Sequence, residues 1–263
     1  MNFWVFAPNG KDAAASVSGV PIGSRLYVVG DVHGRLDLLY EIEKAIEQDL
    51  RTAPSSVLTI FLGDYVDRGF QSAGVLEKLS SRQFCTDFVA LRGNHEQYLL
   101  DFLSDASLLQ WWRKCGGLET LHSYGLDIRK AARGEACEAA RSELMERIPA
   151  KHLDFLSTTL FSFVLGEYFF CHAGVRPGVP LERQAPNDLL TIRDDFLQFS
   201  GSFGRIVVHG HSPILKPDVK LNRINIDTCA HASGVLTALV LEADSRRFLS
   251  TGHAKPPFRM PAD

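Results

Sequence analysis

Three short apolar runs in the N-terminal half of the chain each end in a glycine that is followed by acidic, amide or histidine side chains. The run 26–29 leads into Gly-Asp-Val-His-Gly, the run 57–62 into Gly-Asp-Tyr-Val-Asp-Arg-Gly, and the run 88–91 into Arg-Gly-Asn-His-Glu. Apolar runs of this length, bounded by glycine, are typical of buried β-strands. Each predicted strand therefore delivers polar side chains at its carboxyl end, where open α/β sheets bind their ligands.

The segments between these predicted strands have the spacing of amphipathic helices. Apolar residues at positions 38, 39, 42 and 46 fall on one helical face, and a second short helix is predicted at 75–79. A β-α-β-α-β series with right-handed crossovers brings the carboxyl ends of its strands to one edge of the sheet. The spacings from Asp31 to Asp64 and from Asp64 to Asn94 each match about one βαβ unit. The sequence therefore predicts an α/β (α+β) fold with a site at that edge.

The remainder of the chain is predicted to be a helical insertion followed by more strands. The insertion is rich in leucine, alanine, glutamate and arginine and shows no strand-like alternation. The later strands are predicted at 160–165, 168–171, 206–208, 223–227 and 235–241, with a Gly-Glu hairpin turn between the first two. The predicted regions are an N-terminal segment at 1–24, a domain at 25–245 with the insertion at about 97–159, and a tail at 246–263.

Length and composition fit one large globular domain in a reducing compartment. The chain has 263 residues and a net charge of −3, which argues against a general nucleic-acid or membrane-surface binder. Its five cysteines show no Cys-x-x-Cys spacing, so reduced thiols are expected. No apolar run approaches bilayer length, and the N-terminus lacks the basic start of a signal peptide. We expect a cytoplasmic protein that binds neither nucleic acid nor membrane, and the sequence leaves its oligomeric state open.

Six residues at the predicted strand ends form a set of metal-type ligands. They are two carboxylates, one amide oxygen and three imidazoles, contributed by Asp31, His33, Asp64, Asn94, His172 and His211. Mixed oxygen and nitrogen ligation suits first-row divalent metals, with Mn²⁺ preferred here and iron or zinc as alternatives. Six ligands exceed one tetrahedral site, so we predict two ions about 3.5–4 Å apart, bridged by Asp64. Such a pair clamps a phosphoryl group and generates hydroxide for in-line attack.

Polar residues beside these ligands have the properties of catalytic and phosphate-binding groups. His95 follows Asn94 directly and is predicted to protonate the leaving alkoxide, while Asp67 orients His95 and holds it protonated. Arg68 is placed to bind phosphate oxygens through its planar fork of donors. Asn94 is predicted to lie next to the same phosphate as well as the metal.

The second phosphate-binding arginine is less closely defined by the sequence. Arg193 is the predicted residue and Arg176 the alternative, since both lie between the last two histidine ligands. His209 stands one residue off the strand-end register, which indicates a packing or supporting role rather than ligation. Trp111 and Trp112 are interpreted as core or lid packing, with a substrate-facing role for one of them as the alternative.

The three glycine-flanked motifs resemble the signature motifs of the phosphoprotein phosphatase family of metallophosphoesterases. They read Gly-Asp-Val-His-Gly at 30–34, Gly-Asp-Tyr-Val-Asp-Arg-Gly at 63–69 and Gly-Asn-His-Glu at 93–96. His-Ala-Gly at 172–174 and Gly-His-Ser-Pro at 210–213 resemble the two later histidine ligands of the family. The resemblance covers about residues 25–242, and within the family the chain is most similar to the compact bacterial serine/threonine phosphatases.

The resemblance implies a calcineurin-like, four-layer architecture with a central β-sandwich flanked by helices. It also implies a dinuclear centre and phosphomonoester hydrolysis without a covalent intermediate. By residue, it implies a first metal held by Asp31, His33 and Asp64. The same resemblance implies a second metal with these residues on it or beside it: Asp64, Asn94, His172 and His211.

The chain departs from the family pattern at three positions. Phe70 stands where proline is usual, Thr191 where the bacterial enzymes tend to have tryptophan, and Cys229 where glycine is usual. None of these departures removes a ligand, so they bear on the shape of the substrate pocket and not on the chemistry. The segment Asn-Ile-Asp-Thr at 225–228 resembles a late motif of the bacterial phosphatases and of the related symmetric diadenosine tetraphosphatases.

These observations predict a metal-dependent protein phosphatase acting on phosphoserine or phosphothreonine, with phosphotyrosine as a further substrate. Its expected partner is a phosphoprotein or phosphopeptide substrate. The first alternative is a symmetric diadenosine tetraphosphate hydrolase or another small-molecule phosphoesterase, which shares the core motifs but needs a pocket for nucleosides. The second alternative is a catalytically inactive interaction module of the same fold, against which the complete ligand set and His95 argue.

Overall fold

Two five-stranded sheets form the centre of the computed structural model, which describes residues 19–252. Their strand orders are β10-β9-β1-β2-β3 and β4-β5-β6-β8-β7. The strands are β1 (Ser24–Val29), β2 (Ser56–Phe61), β3 (Phe88–Ala90), β4 (Ser162–Leu165), β5 (Tyr168–Cys171), β6 (Ile206–His209), β7 (Asp218–Val219), β8 (Arg223–Asn225), β9 (Thr237–Glu242) and β10 (Ser245–Ser250). The α-helices are α1 (Leu36–Asp49), α2 (Ser72–Ser80), α3 (Asn94–Ser104), α4 (Leu109–Trp112), α5 (Gly117–Ser123), α6 (Arg129–Ala132), α7 (Cys137–Arg147), α8 (Ala150–Ser157), α9 (Pro186–Thr191), α10 (Asp194–Leu197) and α11 (Ala230–Ser233).

The predicted β-α-β-α-β series is present in the first sheet. Strands β1, β2 and β3 are adjacent and parallel, and the register pairs Val29 with Phe61 and Phe61 with Ala90. Helices α1 and α2 form the two crossovers. Because the three strands end in register, the polar segments that follow them emerge at one edge of the sheet.

The second sheet brings the later histidines to its own carboxyl edge. Strands β4 and β5 form the predicted hairpin, in which Leu165 pairs with Tyr168 across the turn, and Gly166 has a φ of +58°. Strands β5, β6 and β8 run parallel, so His172 and His211 follow neighbouring strand ends. Gly166 suits the turn between β4 and β5, because a residue without a Cβ adopts a positive φ without steric cost.

The two sheets pack face to face, and helices cover their outer surfaces. Leu26 and Val28 of β1 lie in the core between the sheets, together with Phe170 and Val208. The alternate side chains of β1, such as Tyr27, pack against the helices of the first sheet. Helices α9 and α10 pack on the outer face of the second sheet in a third cluster. This four-layer α/β arrangement is the one expected from the sequence.

The observed boundaries differ from the predicted regions at two places. Helix α3 begins at Asn94, so the helical insertion starts at the metal-site motif itself rather than at 97. Strand β10 occupies the first part of the predicted tail and pairs with β9. Its charged residues Arg246 and Arg247 conceal a strand pattern, and the Arg247 guanidinium binds Asp49 at 2.5 Å. The rest of the predicted tail and residues 1–18 lie outside the described residues.

None of the helices within residues 19–252 is both long enough and apolar enough to cross a bilayer. The first described residues are fixed to the domain, since Val20 is buried and its amide donates to the carbonyl of Ala243 at 3.0 Å.

Glu96 ties together the loops that follow β2 and β3. Its Oε1 accepts hydrogen bonds from the amides of Tyr65 at 2.7 Å and Val66 at 3.3 Å. Its Oε2 accepts from the amides of Asp64 at 2.7 Å and Gly93 at 2.8 Å. One fully buried carboxylate thus satisfies four backbone donors that no strand or helix pairs. The loops are fixed to each other before any ligand binds.

We predict that Glu96→Gln destabilises the metal-free protein by about 1–3 kcal/mol, because the amide NH₂ would face backbone donors and leave them unsatisfied. Urea unfolding in the presence of a chelator measures this difference without contribution from metal binding. Asp101→Asn is the matched control, since Asp101 lies on the same helix and its carboxylate accepts a side-chain hydrogen bond from Gln97 at 2.8 Å. Equal unfolding midpoints for the two variants would contradict the assigned role.

Candidate metal centre

The loops at the sheet edge have an unusual backbone conformation. Among the described residues, nine other than glycine have a positive φ, and five of these are predicted site residues: His33, Asp64, Asp67, Arg68 and His211. A positive φ is uncommon for residues with a side chain and costs free energy locally. The loops must turn sharply to direct these side chains back across the strand ends. The strain therefore coincides with the site.

Close approach of the second and third loops depends on Gly93. A Cβ atom at this position would lie 2.0 Å from Oδ1 of Asp64 and 2.4 Å from its backbone nitrogen. The first loop is joined to the second through the backbone, since the amide of His33 donates to the carbonyl of Asp64 at 2.7 Å. Three loops that are distant in sequence are thus held within hydrogen-bond distance of Asp64.

The Asp64 carboxylate faces histidines on two sides. Its Oδ2 lies 3.3 Å from Nε2 of His33, and its Oδ1 lies 3.4 Å from Nε2 of His172. Asp64 is common to two groups of side chains whose ligand atoms lie within 4.8 Å of one another. One group contains His33 and His95, and the other contains His172 and His211. The geometry therefore offers one oxygen of Asp64 to each of two neighbouring cation positions.

The hydrogen bonds of two histidines leave lone pairs that face this carboxylate. Nδ1 of His33 donates to the carbonyl of Val66 at 2.9 Å, and Nδ1 of His172 donates to the carbonyl of Leu62 at 3.0 Å. These bonds assign the proton to Nδ1 in the neutral rings. Burial lowers the pKa of both histidines, which favours that neutral form. The Nε2 lone pairs then point at carboxylate oxygens, a repulsive arrangement that a bound cation would relieve.

The remaining predicted ligands lie against the second group. Oδ1 of Asn94 is 2.9 Å from both Nε2 of His172 and Nδ1 of His211. Oδ2 of Asp31 accepts from the amide of His211 at 3.0 Å, while Oδ1 of Asp31 is one of the buried side-chain atoms without a hydrogen-bond partner in the described chain. Burial and the carboxylates of Asp227 and Asp64 raise the pKa of Asp31. The structure thus brings the six predicted ligands together, and their oxygen and nitrogen donors fit divalent first-row cations.

His95 is held by the carboxylate of Asp67, as the sequence suggested. Nδ1 of His95 lies 2.7 Å from Oδ2 of Asp67 in a buried pair. Oδ2 of Asp67 also accepts from the indole Nε1 of Trp112 at 2.7 Å, and its Oδ1 accepts from Oγ1 of Thr120 at 2.6 Å. Trp112 and Thr120 belong to the helical insertion, so the insertion fixes the orientation of Asp67 and, through it, of the histidine.

The electrostatic environment of His95 favours a bound proton. Burial alone would lower the pKa of His95, but the charges of Asp64 and Asp67 and the hydrogen bond that His95 donates to Asp67 outweigh it, so that the pKa is raised. Nε2 of His95 lies 3.9 Å from Oδ2 of Asp64, so this ring could by distance serve as a further ligand. The raised pKa and the Asp67 pair are instead properties of a proton-carrying histidine.

The two candidate arginines occupy different surroundings. Nε of Arg193 lies 3.2 Å from Nε2 of His211, which places this guanidinium directly beside the ligand set. Arg176 is turned into ion pairs with Asp188 at 2.6 Å and Asp195 at 2.9 Å. These pairs raise the pKa of Arg176 and occupy its donors. Nη2 of Arg68, the other predicted phosphate-binding group, lies 3.2 Å from Nε2 of His95.

Several residues in or beside the centre were not assigned to the site from the sequence. Asp227 lies in the late motif, and burial raises its pKa to about 6, with the charge of Asp64 acting in the same direction. The ring of His231 makes an edge contact with His33 at 5.1 Å between centroids. Asp227 lies in the Asn-Ile-Asp-Thr motif at 225–228 and could have been predicted from it, whereas His231 lies in no motif of the sequence. Trp112 and Thr120 could not be predicted, because they lie far along the chain from the motif that contains Asp67.

His209 lies apart from the ligand set, as expected from its position one residue off the strand-end register. It is fully buried, its Nδ1 lies 3.0 Å from the carbonyl oxygen of Gly210, and its ring meets Phe196 edge-on at 4.9 Å. Burial lowers its pKa to about 3, so it remains a neutral packing group. Of the two tryptophans, Trp112 is buried and contacts Asp67, whereas Trp111 is 46% exposed.

Comparison with known proteins places this arrangement in a family. The calcineurin-like phosphoesterase family matches residues 24–234. The chain is 25% identical over 232 residues to the bis(5'-nucleosyl)-tetraphosphatase PrpE [asymmetrical] of Halalkalibacterium halodurans, covering 81% of this chain and 88% of that protein. It is also 30% identical over 162 residues to the serine/threonine-protein phosphatase 2B catalytic subunit A2 of Saccharomyces cerevisiae, covering 60% of this chain but 21% of the yeast protein.

A solved structure has the same fold over nearly its whole length. The crystal structure of a candidate diadenosine tetraphosphatase superposes with a TM-score of 0.60 and 20% sequence identity, covering 90% of this chain and 96% of that one. The family match over residues 24–234 confirms the resemblance to metallophosphoesterases, whereas the narrower assignment to bacterial serine/threonine phosphatases stays a prediction. With its two sheets, its strand-end ligands and a family match over most of its length, the chain belongs to the calcineurin-like phosphoesterase family.

Proposed function

We propose that this protein hydrolyses dinucleoside tetraphosphates at a dinuclear metal centre. The observation that carries the proposal is the alignment with a tetraphosphatase over most of both chains, while the yeast protein phosphatase is matched over a fifth of its length. A second tetraphosphatase PrpE, from Anoxybacillus flavithermus, aligns over the same shares of the two chains. The alternative raised by the sequence was symmetric cleavage, whereas both relatives carry the asymmetrical designation. We therefore favour unequal products.

The buried donors would hold two divalent ions, with Asp64 shared between them. The first ion would be held by Asp31, His33 and Asp64, and the second would be held by Asp64, Asn94, His172 and His211. When bound, such ions neutralise phosphate charge and lower the pKa of water to make a nucleophile at neutral pH. Mn²⁺ is the preferred candidate, with iron and zinc as alternatives.

The chain's own residues would orient the phosphate and supply a proton. Arg68 and Arg193 flank the ligand set, where each guanidinium can donate two hydrogen bonds to phosphate oxygens. His95 would donate its Nε2 proton to the departing oxygen, since its Nδ1 is held by Asp67. Trp112 and Thr120 act as positioning residues because their hydrogen bonds fix the Asp67 carboxylate.

A protein phosphatase remains the second candidate function. It is supported by the match to the yeast phosphatase and by 32% identity over 111 residues to the serine/threonine-protein phosphatase 1 of Salmonella typhimurium, covering 46% of that protein. A phosphoprotein would use the same metals, arginines and acid. The two functions differ in the leaving group and in the groups that must be recognised beyond the phosphate.

The test is a comparison of kcat/KM for diadenosine tetraphosphate and for a phosphoserine peptide with Mn²⁺ present. We expect the dinucleotide to be preferred and chromatography to show two unequal nucleotide products. Preference for the phosphopeptide would reject the tetraphosphatase proposal in favour of the second candidate. Absence of turnover on both substrates and on para-nitrophenyl phosphate would support the inactive module.

Replacing the shared carboxylate should remove both metal and activity. We predict that Asp64→Asn loses metal occupancy together with turnover, because an amide offers one neutral oxygen where two charged oxygens face two groups of histidines. Elemental analysis after gel filtration measures the metal content. Asp218→Asn on the edge strand β7 is the control and should retain the wild-type metal content. An Asp64→Asn protein that keeps about two metals per chain would exclude the bridging role.

Removing Arg193 should weaken phosphate binding in the transition state while metal content stays intact. We predict a loss of roughly a hundredfold in kcat/KM for Arg193→Ala, since loss of one charge-assisted donor to the transition-state phosphate costs a few kcal/mol. Arg176→Ala is the matched control because its guanidinium is engaged by Asp188 and Asp195. A large loss in Arg176→Ala with none in Arg193→Ala would reverse the assignment.

The dependence on His95 should follow the basicity of the leaving group. We predict that His95→Asn slows phosphoserine peptides by about 10²–10⁴-fold, because a serine alkoxide departs poorly without a proton. The loss should be smaller for para-nitrophenyl phosphate, whose leaving group is stable as an anion, and Asp67→Asn should show the same selectivity in weaker form. A nucleotide phosphate is also a weakly basic leaving group, so we expect a small loss for diadenosine tetraphosphate. Equal losses on all substrates would assign His95 to phosphate or metal positioning.

A further inference from the structure

An aromatic wall stands beside the proposed acid, outside the ligands and the phosphate-binding residues. It consists of Tyr98 on α3 and Trp111 on α4. The ring centroid of Tyr98 lies 5.4 Å from that of His95, and the centroid of Trp111 lies 4.2 Å from that of Tyr98 with the planes at 87°. The wall therefore runs continuously from the acid toward solvent.

The inner half of the wall is fixed by the site itself. Tyr98 is partly buried, and a hydrogen bond with the Asn94 side chain opposes the effect of burial, which raises the pKa of Tyr98. Its edge-on contact with Trp111 in turn supports the indole. Tyr98 thus packs against the site, and Trp111 packs against Tyr98.

The outer half of the wall leaves much of an indole exposed to solvent. Trp111 is 46% exposed, whereas the adjacent Trp112 is fully buried in the core. An exposed tryptophan contributes little to folding, and base–aromatic stacking is a common use of such a residue because every nucleobase has a π-face. If His95 is the acid, this position lies on the side where the leaving group would depart.

We propose that Trp111, supported by Tyr98, stacks on a nucleobase of the substrate. The inference rests on the proposed function, since a dinucleoside tetraphosphate places an aromatic base at each end of its phosphate chain. Arg68, Arg193 and the metal ligands face the phosphates, and the wall provides an uncharged surface for the base. Trp111 would therefore be a specificity-determining residue that separates nucleotides from other phosphate compounds.

The experiment compares two inhibitors that share a triphosphate and differ in the nucleoside. Inhibition constants for ATP and for inorganic tripolyphosphate are measured against para-nitrophenyl phosphate turnover at equal free Mn²⁺. We expect the ratio of the ATP constant to the tripolyphosphate constant to rise about tenfold in Trp111→Ala. Trp111→Phe should restore part of the difference, because a smaller ring still stacks. Phe248→Ala on the edge strand β10, where the ring is 39% exposed, should leave the ratio unchanged.

An unchanged ratio in Trp111→Ala would overturn the stacking role, and so would an equal weakening of both inhibitors. The result is independent of the main proposal because the reporter reaction needs only phosphoesterase activity. If the wild-type enzyme fails to hydrolyse diadenosine tetraphosphate and yet the ratio rises, the proposed function fails and the stacking role stands. If the wild-type enzyme hydrolyses the dinucleotide and the ratio is unchanged, the proposed function stands and the wall has no role in base recognition.

Discussion

The buried carboxylate of Asp64 is the interaction on which the rest of the centre depends. Its oxygens face His33 on one side and His172 on the other, and these two histidines follow strands of different sheets. The backbone of the same residue donates to Glu96 and accepts from the amide of His33. One residue therefore fixes the spacing of three loops and the relative placement of the two sheet edges. A displacement of its backbone would alter both groups of ligands at once.

The centre combines strained backbone with buried charge, and both are unfavourable in isolation. Positive φ values at side-chain-bearing residues cost of order 1–3 kcal/mol each. Burial raises the pKa of the Asp31 and Asp227 carboxylates, and the charge of Asp64 acts in the same direction on both, which indicates that their charged forms lack compensation from the protein alone. Cation binding would supply that compensation, so metal affinity and the stability of this edge are coupled. The sandwich core must supply the free energy that holds the loops in place without metal.

Much of the fold and of the ligand set follows from local patterns in the sequence. Strand runs that end in glycine predicted the parallel series and the shared edge, because register and crossover handedness leave few alternatives. The sequence could not predict that Trp112 and Thr120 support Asp67, since these contacts depend on how the insertion packs. The start of α3 at Asn94 was not predicted. The side chain that caps the helix belongs to Glu96, the third residue of the helix, and not to a residue that precedes it. Charged side chains on β10 concealed an edge strand.

The helical insertion carries a consequence for how such enzymes diverge. Apart from Asn94 at the start of α3, the metals would be held by loops at the edges of the two sheets, whereas the supports of the acid and the aromatic wall come from α3, α4 and α5. Exchange of the helices after the Gly-Asn-His-Glu motif would alter the support of the acid and the aromatic wall together, while the six ligands stayed constant. Two metallophosphoesterases with the same ligands could accordingly differ in substrate, so the ligands alone do not identify the phosphate compound that is hydrolysed.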